Sequence, residues 1–290
     1  MRLRLLPLLF FGLARPAPLW AQGNGPAGHG ARAVALGNAS ATLGGDVWAA
    51  ANNAAGLGTL TRPTAGAHLE NRYLIASLNL VAAAVAVPLG TIEPAAGQPA
   101  RASHGVVAAE AQRFGGGLYN ETRLGAAYGY RLGVVNIGGR LDVLQVSFQD
   151  LGSRRAVAAS LGGQAEVVPE RLTFGVYLYN LNQARLLDYQ DERVPTVLRA
   201  GLAYRPSKQV LLLAETEKDV ERAAGLKAGL EYLPLPAVAI RAGYASLSQQ
   251  TTGGVGVRAG SFQFDYAAGW HGVLGLSQFL SLNWQWERKP

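Results

Sequence analysis

The chain has 290 residues, 49% hydrophobic and 16% charged, with 37 Gly, 14 Pro, one Met and no Cys. The missing Cys excludes disulfide scaffolds, thiol catalysis and Cys-ligated zinc. A charged fraction below the roughly 25% of soluble domains argues against disorder and against an ordinary cytosolic enzyme.

Residues 1–21 read as a secretory signal peptide. Met1-Arg2-Leu3-Arg4 is a basic start, Leu5 to Leu13 a short apolar run, and Trp20-Ala21-Gln22 offers cleavage after Ala21. The run is too short to span a membrane. Cleavage removes Arg2, Arg4 and Arg15, so the net charge falls from +7 to +4. That balance calls for neither a nucleic-acid partner nor a membrane-surface anchor.

Residues 22–58 are rich in Gly, Ala and Asn and lack strand parity. They are expected to form an N-terminal hatch or plug. Gly23-Asn24-Gly25-Pro26-Ala27-Gly28 matches a dinucleotide fingerprint by letter only, because no strand precedes it and Pro26 breaks the geometry. Asp46 is a candidate N-cap for a short helix from Val47 to Asn52, ended by Gly56. Ala33, Ala35, Gly37, Ala39 and Ala41 suit close packing in a lumen, while Val34, Leu36 and Leu43 could line an apolar pocket.

Residues 59–290 alternate with period two, the signature of strands. In 226–232, Leu226, Ala228, Leu230 and Tyr232 share one face; Lys227, Gly229 and Glu231 share the other. Fourteen such segments lie near 60–71, 74–87, 104–114, 121–132, 134–148, 156–167, 171–180, 196–205, 209–218, 223–233, 237–246, 253–260, 262–270 and 278–287. Residues 74–87 are almost uniformly apolar, so a buried helix competes with a strand there. Connections after even strands are mostly tight, as at Leu132-Gly133 and Gly260-Ser261. Those after odd strands are mostly long, as from Leu181 to Pro195. This sorting is the asymmetry of an outer-membrane barrel. Pro88 to Ser103 breaks the rule and reads as an insertion.

An even number of antiparallel strands closes without an edge, and in hydrocarbon only helices and closed barrels satisfy every backbone amide. The expected fold is all-β: a transmembrane antiparallel β-barrel of about 14 strands with a small N-terminal helical hatch. Its expected place is the bacterial outer membrane, with the bilayer as partner. Tyr204, Tyr232, Tyr244, Trp284 and Trp286 near strand ends suit an interfacial girdle. Arg199, Glu215, Glu217, Lys227, Glu231, Arg241, Arg258 and Asp265 fall on the opposite faces and alternate in sign between neighbouring strands. A charge-paired lumen explains them. The competing arrangement puts them on the solvent face of a periplasmic β-sandwich.

The run Gly30-Ala31-Arg32-Ala33-Val34-Ala35-Leu36-Gly37-Asn38-Ala39, then Asp46-Val47-Trp48 and Asn53-Ala54-Ala55-Gly56-Leu57, resembles the N-terminal signature of the PorV/PorQ family and its FadL-like outer-membrane relatives. In that family an Asn-Pro-Ala-Gly-Leu motif precedes the first strand; here Ala54 stands where Pro is usual. Glu70-Asn71-Arg72-Tyr73, Tyr119-Asn120-Glu121, Arg193 to Arg199 and His271 to Gly275 also look like this group. The resemblance implies a fourteen-stranded barrel with a lumenal hatch. It implies either passage of hydrophobic molecules or a type IX secretion role with protein partners.

Chemistry is sparse. His29, His68, His104 and His271 show no metal-ligand spacing, no Gly-x-Ser-x-Gly elbow frames a serine, and there is no Walker loop. Neither an enzyme nor a cofactor is expected. Three functions compete: a carrier for a hydrophobic or amphiphilic small molecule, a secretion accessory docking proteins on its rim, and a structural β-protein.

Overall fold

The computed structural model describes residues 28–90, 102–187, 192–220 and 222–286. The signal-peptide expectation and most of the 88–103 insertion lie outside the described residues.

Two short helices come first, α1 (Ala31–Ala35) and α2 (Ala49–Asn52), followed by a 3-10 turn at Ala54–Thr59. The first barrel strands are β1 (Thr64–Asn71), β2 (Asn79–Pro88), β3 (Val106–Gly115) and β4 (Tyr119–Leu132). Next come β5 (Val135–Phe148), β6 (Gly152–Val168) and β7 (Leu172–Tyr179). A small hairpin, β8 (Arg185–Leu187) with β9 (Glu192–Arg193), stands apart from the barrel. The wall resumes with β10 (Val197–Ser207), β11 (Val210–Asp219), β12 (Gly225–Leu235) and β13 (Val238–Ala245). It ends with β14 (Gln250–Ala259), β15 (Phe262–His271) and β16 (Gly275–Gln285).

Fourteen antiparallel strands close into a barrel. The seam pairs β1 with β16, setting Ala67 opposite Leu282, while Ala67 faces Ala83 of β2 on the other edge. No backbone edge is left to face lipid along that seam, which hydrocarbon demands.

Side chains alternate across the wall, as the pleat requires. In β12, Leu226 and Leu230 are exposed outward while Glu231 is buried inward. In β2 the alternation is hidden from sequence because both faces are apolar. Leu80, Ala82, Ala84 and Ala86 are buried, whereas Val81 and Val85 face outward. The inward set packs with Val47 and Trp48, and the outward set meets lipid. So residues 79–88 form a strand, and the helical alternative fails. Two 3-10 turns, Arg72–Leu74 and Ala76–Leu78, precede it.

The tight turns share one rim with the chain entering β1, and this rim faces the periplasm. Tyr204, Tyr232, Phe262 and Trp284 are exposed near it; Tyr244 and Trp270 are exposed near the opposite rim. Aromatic rings at both ends of an apolar belt mark the two membrane interfaces. The architecture places the chain in the bacterial outer membrane.

Residues 28–60 lie inside the barrel. Helix α1 rests on β13 to β16, and the 3-10 turn rests on β3 to β6. Helix α2 starts at Ala49, not Val47, and ends at Asn52 as expected; the extended backbone of Asn53 (φ −159°) breaks it before Gly56 is reached. Asp46 still accepts the Trp48 amide at 3.0 Å.

Candidate functional site

The candidate site is the lumen and what occupies it. Inward positions on many strands are glycine, and several of them leave room for the N-terminal segment. A Cβ on Gly138 would strike Ala54, one on Gly175 the Ala41 carbonyl, and one on Gly243 the Gly37 amide. The wall is thus carved to the shape of the segment. Asn38, Gly28 and the bend at Gly37 lie toward the outer mouth, while Gly45 and Thr59 lie at the periplasmic rim.

Hydrogen bonds fix the segment strand by strand. The Asn53 side chain donates to the Ala41 carbonyl at 2.6 Å and to Val176 O at 3.2 Å, and accepts from Ala55 N at 3.1 Å. The amide of Gln164 donates to Ala41 O and Leu43 O, both at 3.0 Å. Glu215 accepts Ala41 N at 2.7 Å. Thr252 accepts from Gly37 N and donates to Ala35 O, both at 3.1 Å. Arg32 grips Glu231 through Nε and Nη2, each at 2.9 Å, a fork that suits guanidinium and carboxylate. The Arg32 charge is thereby strengthened, its pKa lying above the ordinary arginine value chiefly because of Glu231.

The motif residues fall where Asn53 anchors the turn. Ala54, Ala55, Gly56 and Leu57 are all buried in it, and Leu57 packs with Trp48 and Ala127. Val34, Leu36 and Leu43 do not line an open pocket. Leu36 and Leu43 are packed against Ala203, Leu211 and Leu213; Val34 is packed against Ala267 and Phe279.

The charges form two ladders on the inward face. Arg199 Nε lies 2.7 Å from Glu217 and 3.9 Å from Glu215. Lys227 Nζ lies 3.2 Å from Glu215 and 2.5 Å from Glu217. Arg241 bridges Glu231 at 2.6 Å and Asp265 at 2.7 Å. Arg258 departs from the expectation. It is exposed beside the tight turn and donates to Gln263 Oε1 at 3.1 Å instead of meeting a carboxylate. Gln263 in turn donates to Asp265 at 2.8 Å.

A third cluster, on β3 to β5, escaped the sequence reading. Arg140 is joined to Glu110 and Asp142, and donates to Ala50 O at 2.8 Å. His29 Nδ1 sits 3.4 Å from Glu110, and burial lowers the His29 pKa below the ordinary imidazole value. The available signal was parity: Glu110, Arg140 and Asp142 all occupy inward positions. Only the register shows that they meet.

The outer mouth holds a cavity of about 170 Å³ lined by Asn38, Arg199, Glu217, Lys227, Leu226 and Leu247. Across the wall, facing lipid, runs an apolar groove of about 510 Å³ along Phe174, Leu202, Ala214, Leu226, Ala228 and Tyr244. Leu226 and Lys227 line both, so the wall at β12 is all that divides them. The pairing there is continuous, from Val210 opposite Tyr232 to Glu217 opposite Gly225.

No family model matches the sequence, and no curated protein matches it. Solved structures do match. The Pseudomonas putida toluene transporter TodX superposes with a TM-score of 0.58 at 11% identity, covering 88% of this chain and 96% of that one. The Acinetobacter baumannii outer membrane protein Omp33 gives 0.50 at 9% identity, covering 79% and 100%. At these identities the likeness is one of fold.

Proposed function

We propose that the chain is an outer-membrane carrier for small hydrophobic or amphiphilic molecules, which enter at the outer mouth and leave sideways through the wall near β12. One observation carries this reading: the mouth cavity and the lipid-facing groove lie back to back across the single strand at Leu226 and Lys227. Below the cavity, residues 28–60 fill the lumen as a hatch, so passage straight through is blocked. A cargo with an apolar body would trade Leu247 inside for Leu226, Ala228 and Tyr244 outside. Arg199, Glu217 and Lys227 would meet its polar end. The fold shared with a toluene transporter is in keeping with this. No chemical step on the cargo is part of the reading, and no cofactor is required.

The test is uptake by proteoliposomes of a monoaromatic hydrocarbon and of a fluorescent long-chain fatty acid. The intact chain should accelerate uptake of at least one, while planar-bilayer conductance stays near baseline. Leu226→Trp, which crowds the lipid-facing groove, should cut uptake at least tenfold with the barrel intact. Uptake no faster than in protein-free liposomes would overturn the proposal and leave protein docking as the better role. A large steady conductance would instead indicate an aqueous pore.

A further inference from the structure

On the outer face of the barrel, the lipid-facing surface differs between two arcs. Across β3 to β6 one row of outward residues is apolar. Ala111 stands opposite Leu124, Leu124 opposite Val143, and Val143 opposite Val157. Leu124, Val143 and Val157 are all exposed. Two residues nearer the outer rim, the same strands carry Arg113 opposite Thr122, Thr122 opposite Gln145, and Gln145 opposite Arg155. The hydrocarbon belt therefore ends between these rows.

Thr122 lies ten residues from the tight turn at Leu132, and Gln145 ten from Val135. At about 3.3 Å per residue and a tilt near 40°, that is roughly 25 Å above the periplasmic turns. It matches the height of a lipid-facing band. Arg113 and Arg155 are therefore at the level of the outer-leaflet headgroups. They are three strands apart, roughly 14 Å. Both are exposed. Arg113 makes no hydrogen bond or ion pair with the described residues. The Arg155 Nε donates to Gln145 Oε1 at 2.7 Å, and Gln145 Nε2 donates to Ser147 at 3.2 Å. Gln145 thus orients one edge of the guanidinium and leaves the other to a ligand.

No carboxylate lies on this outward row; Glu110, Glu121 and Asp142, the acids nearest to it in sequence, are all buried on the inward face. On the neighbouring arc the outward pair Leu178 and Leu198 is apolar and leads to a single cation, Lys218 opposite Leu198. Guanidinium groups bind phosphate oxygens through paired N–H donors, and basic residues at a membrane interface attract anionic headgroups.

We infer that the β3–β6 arc is a binding site for a phosphorylated lipid headgroup of the outer leaflet, with Arg113 and Arg155 as its two phosphate ligands. Thr122 and Gln145 supply polar contacts between them, and Leu124, Val143 and Val157 take the acyl chains. The site is independent of the carrier reading, since it lies outside the barrel and away from β12.

Native mass spectrometry of the detergent-solubilised full chain tests this, with diphosphorylated lipid A and its fully dephosphorylated form as probes. Wild type should prefer the phosphorylated lipid. Arg113→Gln combined with Arg155→Gln should weaken that lipid at least tenfold and leave the dephosphorylated one unchanged. Lys218→Gln, which removes an outward cation from β11, should change neither. Equal retention by wild type and the double variant overturns the inference. So does equal binding of both lipids, or an equal loss in Lys218→Gln, which would show unspecific attraction.

Discussion

Asn53 is the residue on which most of the hatch turns. Its amide satisfies two backbone carbonyls and one amide that no water reaches. Asn53→Ala leaves those groups short of partners, at a cost of about 1–3 kcal/mol. Hydrogen exchange across residues 41–59 should speed by tenfold or more, while the wall strands stay protected. His29 gives a second prediction. Its pKa is lowered by burial, so between that value and about 6.5 the freed segment binds a proton that the seated one does not. Acidification from pH 7 to pH 5 should therefore loosen the hatch, with stability present above about 6.5 and lost as pH falls. His29→Gln should remove that part of the pH dependence in the same exchange measurement. Sequence showed Asn53 only through the family motif. Arg258 was misjudged for a physical reason. Parity reports which face a side chain takes, not its height, and at the rim a lumenal arginine reaches water instead of a carboxylate. Glu110 with Arg140 and Asp142 was missed because each acts from its own inward position, and register is not written in any one strand.

At the scale of elements, the strands were legible almost throughout, because lipid outside and polar contents inside impose period two on nearly every one. Strand β2 was ambiguous where both faces are apolar. Helix α1 and the β8–β9 hairpin were not read, being short and held by tertiary contacts instead of propensity. The inward glycines were visible as letters, but their role was not. Gly138 and Gly139 make the role testable. Gly138 faces inward against Ala54; Gly139 faces outward, near Leu161. Gly138→Val should unseat the hatch and raise planar-bilayer conductance severalfold, whereas Gly139→Val should leave conductance at the wild-type level. Equal behaviour of the two variants would mean that the hatch does not obstruct the lumen.

At the scale of the whole molecule, a closed fourteen-stranded wall should keep the unboiled protein compact on a detergent gel and shift its mobility on heating. Protease applied to intact cells should cut between Leu181 and Leu187 and spare the turn at Ser207. Cleavage at Ser207 alone would invert the topology.

The seating of the hatch also constrains how the molecule is made. Residues 28–60 leave the ribosome before any strand, yet α1 rests on β13 to β16, the last four, and the 3-10 turn on the early strands β3 to β6. The segment thus touches both ends of the chain, like a mandrel around which the sheet is rolled. The β1–β16 seam must zip last, with the contents already in place, since the wall glycines leave no clearance for later entry. A peptide of residues 22–60 should rescue a barrel lacking residues 30–57 when the two are refolded together. Added to the closed, truncated barrel, the same peptide should find no doorway, and conductance should stay high.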